Sequence, residues 1–157
     1  MKGTICIYYS RTGNTKAIAE YISKKLNTEL LCITDGIDRS GKSGYLKSGY
    51  ESLKGILPKL NSFGTAKKIE DYRNIIVLTP IWAFNICPVA KSFLKKYGSK
   101  IKGNTYFIVT HGSPMKYEKK INKLDEYLQN KHKLHLSLSE KDLKNYDKID
   151  KFIKNIR

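Results

Sequence analysis

Apolar residues in this chain fall into short dense runs separated by stretches with helical spacing. Thr4 to Tyr9 (TICIYY) is a compact β-branched and aromatic run, which predicts a buried strand. From Thr15 to Leu26 the apolar positions Ile18, Tyr21, Ile22 and Leu26 recur every three or four residues, predicting a helix with one buried face. Asn27 suits its end. Glu29 to Thr34 (ELLCIT) predicts a second strand. Leu46, Tyr50, Leu53 and Leu57 fall at i, i+4, i+7 and i+11, predicting a helix over about 43–57 that Pro58 ends. Asn74 to Thr79 (NIIVLT) predicts a third strand stopped by Pro80, then a loop to Cys87. Pro88 opens a helix with Ala90, Phe93, Leu94 and Tyr97 on its inner face. Thr105 to Thr110 (TYFIVT) predicts strand four, and Ile121, Leu124 and Leu128 mark the helix after it. Leu134 to Leu138 (LHLSL) alternates as an edge strand does. Leu143, Tyr146, Ile149 and Ile153 mark a closing helix.

Strands alternating with helices predict an α/β protein with a parallel sheet covered on both faces. Five such units in 157 residues make one doubly wound domain over 1–157, with a helical insert after strand two. No apolar run approaches the ~20 residues of a membrane helix, and MKGTICIYYSRTG lacks the apolar region and cleavage site of a signal peptide. The expectation is a cytoplasmic protein that is a monomer or weak dimer. The three cysteines lack CxxC spacing, which argues against a disulfide framework or a zinc site. Cys6 and Cys32 lie in apolar runs and read as buried thiols. The net charge of +16 comes from lysine, since only Arg11, Arg39, Arg73 and Arg157 are arginines. Nucleic-acid readers favour arginine for bidentate contacts. The charge therefore indicates a solvated lysine surface or an acidic partner, not nucleic acid.

Ser10, Arg11, Thr12, Gly13, Asn14 and Thr15 (SRTGNT) lie between the first strand and the first helix, where ligands of open α/β sheets collect. A helix start has unpaired N–H groups and a partial positive charge. Three hydroxyls and an amide add neutral donors, and Gly13 lets the backbone approach closely. One capping residue would satisfy an ordinary helix. Four donors around a glycine suit a phosphate dianion, with Arg11 either assisting or solvated.

That stretch resembles the phosphate loop of flavodoxins and flavodoxin-like proteins, (S/T)-x-T-G-x-T. The resemblance implies a three-layer fold with five parallel strands in the order 2-1-3-4-5, and flavin mononucleotide (FMN) as cofactor. TPIWAFNICP, Thr79 to Pro88, resembles the family's loop along the flavin ring, placing Pro80, Ile81, Trp82, Ala83, Phe84 and Asn85 at the cofactor. THGSP falls where the second flavin loop belongs, adding His111, Gly112 and Ser113. GKSGYLKSGYESLKGILP resembles a helical segment of one subgroup of that family.

Trp82 and Phe84 either stack on the ring, by about 0.5–1.5 kcal/mol beyond burial, or pack under the loop. Asn85 either bonds the flavin edge or holds the turn. His111 either places a cation near the ring or is structural, and Cys87 is either reactive or packed. HGSP lacks the aromatic residue usual there, so one ring face is open or covered by segment 35–68, with Tyr45 and Tyr50 as candidates.

The resemblance implies an electron carrier between redox partner proteins, without a catalytic side chain. The charge makes those partners acidic and the reduction potential less negative than in acidic relatives. An FMN-dependent reductase of a quinone or similar small molecule, fed by NAD(P)H, is the alternative. A competing pattern, GIDRSGKS from Gly36 to Ser43, matches G-x-x-x-x-G-K-S of nucleotide-binding P-loops. An NTPase also needs an acidic residue after another strand to hold magnesium. Strands three and four end in Thr79-Pro80 and Thr110-His111, so nucleotide binding is the weaker reading.

Overall fold

In a computed structural model, residues 3–65 and 67–156 are described. Met1 and Lys2 of the opening run, Ala66 and Arg157 lie outside the described residues. The first apolar run forms β1 (Thr4–Tyr8), buried from Ile5 onward. It lies between β2 (Glu29–Cys32) and β3 (Asn74–Trp82), both parallel to it, with Ile5 opposite Glu29 and Ile75. β5 (Asn104–His111) and β6 (Leu134–Ser139) complete the order β2-β1-β3-β5-β6. This is the predicted parallel order, with β4 (Asn85–Ile86) added as an antiparallel two-residue strand on β3.

Successive strand residues point to opposite faces, so the sheet has two cores. Ile5, Ile7, Ile75, Val77, Phe107 and Val109 meet Val89, Phe93 and Leu94 of α3 (Pro88–Tyr97). Cys6, Tyr8, Ile76, Leu78, Tyr106 and Ile108 meet Ile18 and Ile22 of α1 (Asn14–Leu26) and Ile149 and Phe152 of α5 (Asp147–Ile153). Asn27 ends α1 in the left-handed region at φ 48°. The helix after β5 is shorter than its periodicity predicts. α4 (Glu118–Asn122) is a single turn that tightens into a 3-10 stretch, Lys123–Tyr127. No described helix is long and apolar enough to cross a membrane.

Three expectations are corrected. Pro80 does not stop its strand. Proline lacks only the N–H, and the Pro80 carbonyl accepts a bond from Cys87 N–H at 3.1 Å, so β3 continues to Trp82 and turns back into β4. The row Leu46, Tyr50 and Leu53 does mark a helix, α2 (Gly41–Lys54), but these side chains are exposed while Gly44, Ser48, Glu51 and Ser52 face inward. Cys32 is exposed rather than buried, because it ends an edge strand; Cys6 and Cys87 are fully buried. Burial pushes the Cys6 thiol up to about 11 and the Cys87 thiol up to about 12. A thiol reagent near neutral pH is therefore expected to label the native protein at Cys32 alone, reaching the others only in denaturant. Peptide mapping of the adducts checks this.

Candidate functional site

A cleft of about 980 Å³ opens at the carboxyl ends of β1, β3 and β5, with α2 as its outer wall. Of the fifteen positions predicted from sequence, all but Ser10, Gly13 and Asn85 line it. Among the described residues Arg11 is its only lysine or arginine and Glu140 its only carboxylate, so the charge of +16 lies mostly elsewhere on the surface.

The first loop gathers donors that an anion could accept. Gly13 stands at φ 98°, a left-handed turn that only glycine adopts freely, and it leads into α1 without a side-chain cap. The first helical bond runs from Ala17 N–H to the Gly13 carbonyl at 2.9 Å. The N–H groups of Asn14, Thr15 and Lys16 precede it and have no carbonyl within the helix. No acidic side chain occupies that turn to offset the dipole. Ser10 Oγ accepts from Gly13 N–H at 3.0 Å and keeps its own proton for another acceptor. Thr15 and Thr110 hydroxyls are 2.8 Å apart and both buried, joining this loop to the end of β5. If Thr110 donates to Thr15, the Thr15 proton is free to face an anion. Thr12 and Asn14 are exposed at the mouth.

The second loop is a tight hairpin. Ala83 and Phe84 have φ 45° and 63°, the left-handed pair of a primed hairpin turn, without the usual glycine. Lys120 Nζ donates to Asn85 Oδ1 at 2.5 Å, and Asn85 Nδ2 donates to the Ala83 carbonyl at 3.3 Å, so this side chain holds the turn. Trp82 is buried, edge-on to Tyr9 at 5.4 Å, with the Arg39 guanidinium 5.1 Å from its ring centre. Phe84 is 55% exposed at the hairpin tip.

In the third loop both ring nitrogens of His111 are engaged. Its Nδ1 lies 2.7 Å from the Ser113 carbonyl, which can only accept, so that nitrogen carries the proton. Its Nε2 lies 2.8 Å from Ser137 Oγ, and its ring packs on Tyr117 at 4.9 Å. Tyr117, buried just before α4, shares a 2.7 Å bond with Ser113 Oγ.

Sequence reasoning missed a buried ion cluster behind the wall. Arg39 Nη2 lies 2.5 Å from Asp35 Oδ2 and 2.6 Å from Glu51 Oε2. Burial alone would push the Arg39 guanidinium down, but the two carboxylates outweigh it and hold it up. Ser52 Oγ also donates to the Trp82 carbonyl at 2.7 Å, tying α2 to the hairpin. Glu140 and Leu143 were missed as well, although their position just past β6 is where such sheets gather ligands. Tyr45 and Tyr50, the candidates from segment 35–68, line the cleft.

No protein-family model and no curated protein sequence matches the chain. Solved structures do. A flavoprotein from Lactobacillus acidophilus NCFM, in complex with FMN, superposes with a TM-score of 0.70 at 17% identity, covering 93% of this chain and 99% of that one. A putative flavoprotein from Bacteroides eggerthii DSM 20697 gives 0.71 at 19% identity, over 94% and 96%. An NADH:FMN oxidoreductase in its apo form gives 0.55 at 15%, over 99% and 91%. The chain has the flavodoxin-like fold.

Proposed function

We propose that the protein binds FMN in this cleft and carries electrons between redox partner proteins. The observation that carries the reading is the uncapped entrance of α1, with free N–H groups and hydroxyls opening into a large, mainly apolar cleft. Thr12, Asn14, Thr15 and Arg11 would hold the phosphate. Backbone from Pro80 to Phe84 and Gly112 to Ser113 would border the ring. Bound FMN would supply one- and two-electron chemistry; the chain binds, orients and screens it. The flavoproteins that share the fold support this reading.

The test is an absorbance spectrum and a titration. Protein reconstituted with FMN is expected to be yellow, with one flavin per chain, and to change FMN fluorescence on binding. No change at micromolar protein would overturn the proposal. The open apolar cleft favours one second reading, an FMN-dependent reductase. Rapid NADPH oxidation by the holoprotein alone, with quinone turnover, would select it over the carrier. The P-loop reading loses ground, since Arg39 of that motif is buried in ion pairs beneath α2. The +16 surface fits acidic partners.

A further inference from the structure

α2 contains an unexplained glycine. Gly41 has φ 65°, a backbone that suits glycine, and a Cβ on Gly44 would lie 2.1 Å from the Arg39 carbonyl carbon. Gly49 has neither reason: its φ is not left-handed, and a Cβ there would meet nothing within 4 Å. Glycine in a helix interior is unfavourable relative to alanine through the backbone entropy lost. Gly49 is nevertheless half-buried and lines the cleft. Tyr45 and Leu53 stand one turn to either side on the same face. They are 64% and 69% exposed, and Tyr50 between them is 58% exposed. The helix thus presents an apolar wall with its central side chain missing.

We propose that the gap over Gly49 is the seat of a flat, fused ring system. Tyr45 and Leu53 are about 12 Å apart along the helix axis, a span that accepts several fused rings lying flush on bare backbone. A side chain at position 49 would hold the ring off. The proposal rests on the FMN reading. The ring has two sources of one chemistry: the flavin itself, or a planar substrate such as a quinone stacked beyond it.

The experiment compares wild type with Gly49→Ala and Gly49→Leu. Each variant is expected to fold and to gain about 2–4 °C in Tm from better helix propensity. FMN and riboflavin are titrated by fluorescence, and the holoproteins are titrated with 1,4-naphthoquinone by flavin absorbance. A loss of tenfold or more in both flavin affinities for Gly49→Leu, with a smaller loss for Gly49→Ala, places the flavin ring on the seat. Unchanged flavin affinity with a tenfold loss for naphthoquinone places the second ring there. If wild type binds FMN and Gly49→Leu binds both flavins and naphthoquinone equally well, the seat is disproved and the FMN reading stands. If wild type binds no FMN, both fall together.

Discussion

Thr12→Val with Thr15→Val is expected to weaken FMN binding by about 10²–10⁴-fold while leaving riboflavin binding within about twofold. Each hydroxyl bonded to a charged phosphate contributes about 1.5–3 kcal/mol, and each 1.4 kcal/mol is a factor of ten. Valine keeps the shape of threonine but removes the donor. The free N–H groups of the first helical turn remain in the variant, which is why binding is weakened rather than abolished. Riboflavin, lacking the phosphate, isolates the ring side of the site. Thr15→Val also strands the buried Thr110 hydroxyl, which costs stability of about 1–3 kcal/mol. Titrations should therefore be run well below the variant's Tm. Equal FMN affinity in wild type and double variant would show that another part of the protein holds the phosphate.

Arg39→Met is expected to lower Tm by about 6–20 °C. The guanidinium lies within 2.6 Å of two carboxylates, with both its own side chain and that of Asp35 only 1% exposed. Removing it leaves Asp35 and Glu51 without a counter-charge, a loss of about 3–5 kcal/mol, at roughly 2–4 °C per kcal/mol for a chain of this size. Trp82 also loses the cation over its ring. Adding Asp35→Asn and Glu51→Gln removes the stranded charges and should recover most of the loss. Calorimetry of the single and triple variants decides the matter. A single variant within about 2 °C of wild type would mean that water reaches the cluster.

The centre of the sheet was legible because β1, β3 and β5 are runs buried on both faces, and such runs carry their own signal in composition. The donor-rich first loop was legible because it is contiguous, Ser10 to Thr15, and all its donors are local. The hairpin was not, since Ala83 and Phe84 take left-handed backbone without an Asn-Gly pair to announce it. Pro80 misled for a related reason: its missing N–H hid a working carbonyl. Periodicity located α2 but not its orientation. Leu46, Tyr50 and Leu53 announce an apolar face, while burial of the opposite face depends on Arg39 meeting Glu51, a contact between loop and helix that no local pattern encodes. Gly49 was visible as a mid-helix glycine, but the empty space above it was not.

The bond between Thr15 and Thr110 spans 95 residues of chain. At ~5–20 residues per second of synthesis, the first loop is made roughly 5–20 s before its partner hydroxyl exists. A nascent chain thus displays a phosphate-attracting turn long before the pocket around it can close. Any ligand that needs the closed pocket is captured only after Leu143 has emerged, so β1 and α1 must fold without help from it.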